Sequence, residues 1–206
     1  MATAQALEAA YRTKVRTLLD AMTARLEREY GRRVNLADID RTFAAFVPEA
    51  VAIVEAAQAA GVSLSLGFLR ASLAERAGRV VEPGPLPFSP AGTNEQGRPL
   101  ADGLAAVPAM LKEAIGKGRP LQEVRDLGRS LVARFGDAET SRAMDVAITA
   151  AARNTPEVVG WEGIVGAGAC EGCRSNTGLH ELGATMYRHG GCECVRQWVV
   201  RAETAA

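Results

Sequence analysis

All four cysteines of this 206-residue chain fall in its last fifth, as Cys170-x2-Cys173 and Cys192-x-Cys194, with His189 three residues ahead of the second pair. Cysteines scattered through a core are ordinarily inert packing groups, whereas two close pairs separated by a polar, glycine-bearing stretch have the spacing of a structural zinc site. A tetrahedral Zn2+ takes four ligands, with sulfur at roughly 2.3 Å, and two tight turns can each deliver two of them. Five side chains compete for those places here. Cys170, Cys173 and Cys192 are the expected ligands, and the fourth place is open between His189 and Cys194. The group left over would hydrogen-bond to a ligated sulfur. Four protein ligands leave no position for water or substrate, so the expectation is one structural zinc per chain. A segment of about 45 residues cannot bury enough apolar surface to stay folded without such help.

Several other chemistries are disfavoured. A redox Cys-x-x-Cys sits at the start of a helix after a strand in a βαβ context, which Glu171-Gly172 and Arg174-Ser175-Asn176 do not suggest. There is no Gly-x-Ser-x-Gly elbow, no phosphate loop ending in Lys-Ser or Lys-Thr and no His-Glu-x-x-His, and His180 is the only histidine besides His189, so the chain is not expected to be an enzyme. The 24 basic residues are matched by 24 acidic ones, which argues against a dedicated nucleic-acid coat. Met-Ala-Thr-Ala-Gln runs into an amphipathic pattern without the basic flank and apolar core of a secretory signal. No apolar run is read as approaching the roughly 20 residues that span a bilayer. The expectation is folding in a reducing cytosol, where paired cysteines bind metal more often than they form structural disulfides.

Helical period dominates the rest. Leu7, Tyr11, Val15, Leu18, Met22, Leu26 and Tyr30 recur at steps of three and four, predicting a long helix with Gly31 as its stop. Asn35 and Asp38 open a second helix, Pro48 fits the first turn of a third, and Gly61 separates that one from a fourth closed by Gly78. Segment 80–100 is loaded with proline and glycine and reads as an exposed loop or linker, either a functional arm or a connector. Helical pattern resumes at 101–156, with Asp137 capping its last helix and a break at Asn154-Thr155-Pro156. Val158 to Val165 and Arg196 to Val200 read as strands. The expected fold is mainly α: an elongated helical body, divided into 1–79, the loop 80–100 and 101–156, followed by a small β-rich zinc-binding knot at 157–206. Trp161 and Trp198 are expected to pack within that knot, and Arg28, Arg32 and Arg33 to form a solvated helix end.

A helical body, then Ala169-Cys170-Glu171-Gly172-Cys173-Arg174, a short stretch, and His189-Gly190-Gly191-Cys192-Glu193-Cys194-Val195 resembles the MuF-like minor capsid proteins of tailed bacteriophages, also called head morphogenesis proteins. The motif match covers roughly residues 158 to 200, and the body matches in style, including the Ala-rich stretch Ala52 to Ala60. Gly190-Gly191 after the histidine, and Asn176-Thr177-Gly178 between the two halves, depart from the family pattern without removing a ligand. The resemblance implies a non-enzymatic virion component, made in the host cytoplasm and carried inside the head near the portal. Its implied partners are portal and major capsid subunits, with weak contact to packaged DNA and no membrane, and its implied role is in head assembly, packaging or ejection. The alternative is a zinc-ribbon regulator gripping nucleic-acid phosphates through Arg174, Arg188, Arg196 and Arg201, against which the glutamates of the same segment leave no basic excess.

Overall fold

A computed structural model describes residues 4–94, 96–165, 170–184, 186 and 195–201. The chain is mainly helical and carries a three-stranded antiparallel sheet near its C-terminus. Helix α1 (Ala4–Arg33) buries Met22, Leu26 and Tyr30 at steps of four, as its periodicity predicts. Gly31 does not stop it. The last turn carries Arg32 and Arg33, favourably placed at the negative end of the helix dipole. Both reach Glu29, at 3.0 and 3.1 Å, and the hydrogen bond from Arg33 holds the Glu29 carboxyl below its usual range.

The Asn35 side chain accepts from the amide of Ala37 at 3.0 Å and starts a short 3-10 turn, Leu36–Asp38, which runs straight into α2 (Ile39–Ala77). The sequence reading divides this span at Pro48 and Gly61, and both divisions are wrong. Pro48 is on the exposed side of the continuous helix, so the Ala44 carbonyl that loses its donor faces solvent. Gly61 is a packing residue: a Cβ there would lie 2.7 Å from Met144 Cγ and 3.5 Å from Leu18 Cδ2. The undivided helix also changes the membrane reading. By length and composition it could cross a bilayer, its most apolar window having a mean hydropathy of 1.5 with 33% of that window buried inside the protein. The α2 residues Phe43, Phe46, Ile53 and Val54 are buried core residues.

Gly78, at φ +67°, closes α2 in the left-handed region that a side chain would resist. The next regular element is α3 (Leu100–Leu104), followed by α4 (Val107–Gly116). The proline-rich stretch between α2 and α3 is not a loose arm. Near its start Val81 is buried, the Gly84 amide donates to Thr155 Oγ1 at 2.8 Å and Asn154 Nδ2 donates to the Pro85 carbonyl at 2.8 Å. Farther on, the fully buried Gln58 accepts from the Gly92 amide and donates to the carbonyls of Thr93 and Glu139, using both of its N–H groups and its oxygen. Arg142 adds a further bond to the Thr93 carbonyl.

Helix α5 (Leu121–Arg153) is likewise continuous where a break was expected at Asp137. That residue faces Thr23 of α1, whose hydroxyl donates to Asp137 Oδ1 at 3.0 Å, and burial, with Asp20 nearby, pushes its carboxyl above the usual range. A raised carboxylate pKa penalises the folded state above the group's unfolded pKa and ceases to do so below it. Asp137→Asn, which keeps the acceptor for Thr23 and removes the partly buried charge, should therefore stabilise the protein at neutral pH. Denaturant titrations of both proteins should converge as pH falls through the ordinary aspartate range.

The order of elements follows the segments read from the sequence, but the compact units interleave along the chain. One comprises Met1–Tyr11, Ser65–Pro87 and Ala147–Ala206, the other Arg12–Leu64 and Phe88–Val146. Helices α1, α2 and α5 contribute residues to both. The all-helical unit is built on Leu26, Tyr30, Phe43, Phe46, Leu104 and Leu111, with Tyr30 and Phe46 packed edge to face at 5.7 Å. The sheet-bearing unit has its own buried cluster, which includes Leu69, Leu73, Ile148, Trp161, Cys173 and Trp198.

Candidate metal centre

Strand β1 (Val158–Ile164) is central in the sheet, paired antiparallel on one side with β2 (Leu179–His180) and on the other with β3 (Val195–Val200). β1 and β3 are the two strands expected from their β-branched and aromatic residues. The two-residue β2 is too short to leave a periodic signal. Trp161 lies opposite His180 in one pairing and Trp198 in the other, so the two tryptophan strands are joined directly by their ladder.

Between β1 and β2, Cys170 is the N-cap of the single-turn helix α6 (Glu171–Arg174). This placement after a strand, at the start of a helical turn, is a context the sequence did not suggest. The Cys173 amide points at Cys170 Sγ at 3.4 Å, and the Arg174 amide donates to the Cys170 carbonyl at 3.0 Å. An amide N–H directed at sulfur is an outer hydrogen bond of the kind that orients a metal ligand. Cys170 is exposed and Cys173 is 1% exposed. The turn therefore presents one sulfur at the surface and holds the other in apolar surroundings.

Asn176 ties this turn to the sheet. Its amide donates to the Cys173 carbonyl at 3.1 Å, while its own carbonyl accepts from the Gly163 amide at 3.0 Å and from His180 Nε2 at 3.0 Å. The approach demands glycine, because a Cβ on Gly163 would overlap the Asn176 carbonyl. Gly178, at φ +92°, then turns the chain into β2. The sequence shows Asn176-Thr177-Gly178 as a turn, but nothing in it marks the Asn176 carbonyl as the joint between turn and strand.

His180 stacks on Trp161 with ring centroids 4.2 Å apart, and its Nε2 is committed to Asn176. The Arg196 guanidinium lies 5.2 Å from the Trp161 ring centroid and donates to Thr149 Oγ1 at 2.5 Å. Both indoles are enclosed and cannot act as platforms for bases. Of the four arginines that a nucleic-acid reading requires, Arg196 is buried, Arg174 and Arg201 are exposed, and Arg188 lies outside the described residues.

His189, Cys192 and Cys194 also lie outside the described residues. Among the described residues no group of three or more His, Cys, Asp or Glu side chains is placed to hold a metal. Cys170 and Cys173 fit half of a tetrahedral thiolate site: two sulfurs on one turn, with a backbone donor aimed at the first. Elsewhere, an open groove of about 400 Å³ in the all-helical unit is lined by Glu27, Asp126, Arg129, Ser130, Arg134 and Asp137. Arg129 is paired there with Asp126 at 3.4 Å. Comparison with protein-family models, curated proteins and solved structures finds no match to this chain.

Proposed function

We propose that this chain is a non-enzymatic structural protein of a bacteriophage virion, similar to MuF-like minor capsid proteins, whose C-terminal module is stabilised by one zinc ion. The observation that carries the reading is the ordered set Cys170-x2-Cys173 and His189-x2-Cys192-x-Cys194 following a long helical body. The turn at Cys170 supports it, because an amide N–H directed at the Cys170 sulfur is an outer hydrogen bond of the kind that orients a metal ligand. Cys170, Cys173 and Cys192 would hold the metal with either His189 or Cys194, and zinc supplies cross-linking rather than Lewis-acid chemistry when all four places are protein ligands. The helices would associate with portal or capsid subunits inside the head. The zinc-ribbon regulator is the weaker reading, since burial of Arg196 against Trp161 and Thr149 withdraws one of its four phosphate contacts.

The deciding experiment deletes the gene from the phage that encodes it and assays the heads. Defective or poorly infectious heads, together with co-purification of the chain with portal subunits, are expected. Normal infectious heads, with salt-resistant, sequence-specific binding of the purified protein to DNA duplexes, would instead establish the regulator.

A further inference from the structure

Helical geometry brings Cys170 and Cys173 close enough to react with each other. Residues three apart on a helical turn have Cα atoms about 5 Å apart, inside the roughly 4.4–6.8 Å that a disulfide spans. Backbone bonds fix the turn at both cysteines: the Arg174 amide donates to the Cys170 carbonyl at 3.0 Å and the Asn176 amide to the Cys173 carbonyl at 3.1 Å. The Cys170 side chain folds back over the turn, its sulfur lying 3.4 Å from the Cys173 amide nitrogen. That nitrogen is separated from the Cys173 Cβ only by Cα. The sulfurs can therefore meet by rotation about side-chain bonds, with the backbone left in place.

The two residues differ in access. Cys170 is exposed, whereas Cys173 is buried in the cluster that holds Trp161 and Trp198. A reagent from solution meets Cys170 first, and Cys173 is left to react with a group already held on its neighbour. An accessible cysteine with a second one poised beside it is the arrangement of a redox-active pair, in which the first attacks and the second resolves.

We propose that Cys170 and Cys173 form a reversible disulfide within this turn by exchange with a low-molecular-weight disulfide such as that of glutathione. The Cys170 sulfur gives up its proton and attacks one sulfur of the reagent. The reagent's S–S bond breaks, one glutathione leaves and is protonated, and a mixed disulfide remains on Cys170. The Cys173 sulfur then gives up its proton and attacks the Cys170 sulfur, expelling the second glutathione. In all, two protein thiols are oxidised by two electrons and one glutathione disulfide is reduced to two thiols, which carry the two protons. An excess of reducing thiol runs the same steps backwards. The inference does not rest on the zinc reading, and a metal bound to both sulfurs would compete with the reaction.

The test incubates the full chain, as purified, with excess glutathione disulfide, quenches in acid, alkylates the remaining thiols and maps the cysteine peptides by mass spectrometry. The peptide holding Cys170 and Cys173 should lose two hydrogens, carry no glutathione and regain both thiols on addition of dithiothreitol. In Cys173→Ala, which keeps the buried position apolar, one glutathione should stay trapped on Cys170. In Cys170→Ser, Cys173 should remain unmodified over the same interval, and become reactive once the chain is denatured. Glutathione retained on Cys170 of the unsubstituted chain, or Cys173 linked to Cys192 or Cys194, would overturn the proposal. So would a pair that stays reduced, and if that protein carries zinc the zinc reading survives the failure.

Discussion

Stripping zinc from the metal-loaded protein with a chelator is expected to dissolve the three-stranded sheet while the helices of the other unit persist. Binding free energy at a structural zinc site is folding free energy, on the order of 10–16 kcal/mol in small zinc modules at neutral pH. The two units hold separate buried clusters, so loss of one need not carry the other. The readout is clean because Trp161 and Trp198 are the only tryptophans in the chain. Indole fluorescence should change to that of solvent-exposed rings while the far-UV helical signal is largely retained. Absence of zinc from protein made in zinc-replete medium would sink the metal reading. Simultaneous loss of both signals would show that the two units do not melt separately.

The contrast between the two cysteines of one turn sharpens that test. Without a metal, Cys170→Ser should be close to neutral, because Cys170 is exposed and serine is a better N-cap, whereas Cys173→Ser would place a hydroxyl in an apolar cluster. With a metal, both substitutions remove a ligand, and each should lower zinc affinity by more than the roughly 10–100-fold expected from losing an outer hydrogen-bond partner. Similar losses at the exposed and the buried position therefore identify coordination. Both should exceed the effect of His180→Ala, which removes only the stacking on Trp161 and the bond to Asn176.

Helix existence was legible in the sequence because the apolar spacing is regular: Met22, Leu26 and Tyr30 are buried as the period requires, and Val158–Ile164 and Val195–Val200 form the strands that their β-branched residues suggest. Some helix boundaries were legible, with Asn35 capping the turn into α2, Gly78 closing that helix and α5 ending at Arg153 before the expected break, and others were not, for one recurring reason. Gly31, Gly61, Pro48 and Asp137 are residues that end helices when only local chemistry acts, yet each lies inside a helix here. At Gly61 tertiary packing overrides the local preference, since the absence of a side chain is what admits Met144. The turn at Cys170–Cys173 was visible from its spacing. Its attachment to β1 through the Asn176 carbonyl was not, because a backbone contact leaves no mark on residue type.

The same packing logic predicts a sizeable effect at Gly128, in the interior of α5. Glycine there costs the helix roughly 0.5–1 kcal/mol relative to alanine, so Gly128→Ala would stabilise an isolated helix. In the folded chain a Cβ on Gly128 would overlap the Tyr30 hydroxyl and crowd the ring of that buried residue. Gly136, two turns on, meets Leu26 Cδ1 and Met22 Cε of the same helix α1 at 2.6 and 3.0 Å from its own ideal Cβ position, so the ring has little room to shift along α1. Overpacking of this kind typically costs 1–3 kcal/mol, and Gly128→Ala should lower stability by about 2 kcal/mol despite its better helix propensity. Tyr30→Phe behaves differently. The Tyr30 hydroxyl is buried without a hydrogen-bond partner among the described residues, and that burial pushes its pKa up, so removing it should be neutral or stabilising by about 0.5 kcal/mol. Combined, Tyr30→Phe should recover part of the loss caused by Gly128→Ala, with a coupling of about 1 kcal/mol in a double-mutant cycle followed by far-UV circular dichroism. Strict additivity would show that Tyr30 moves aside freely and that the close approach of α1 to α5 is set elsewhere.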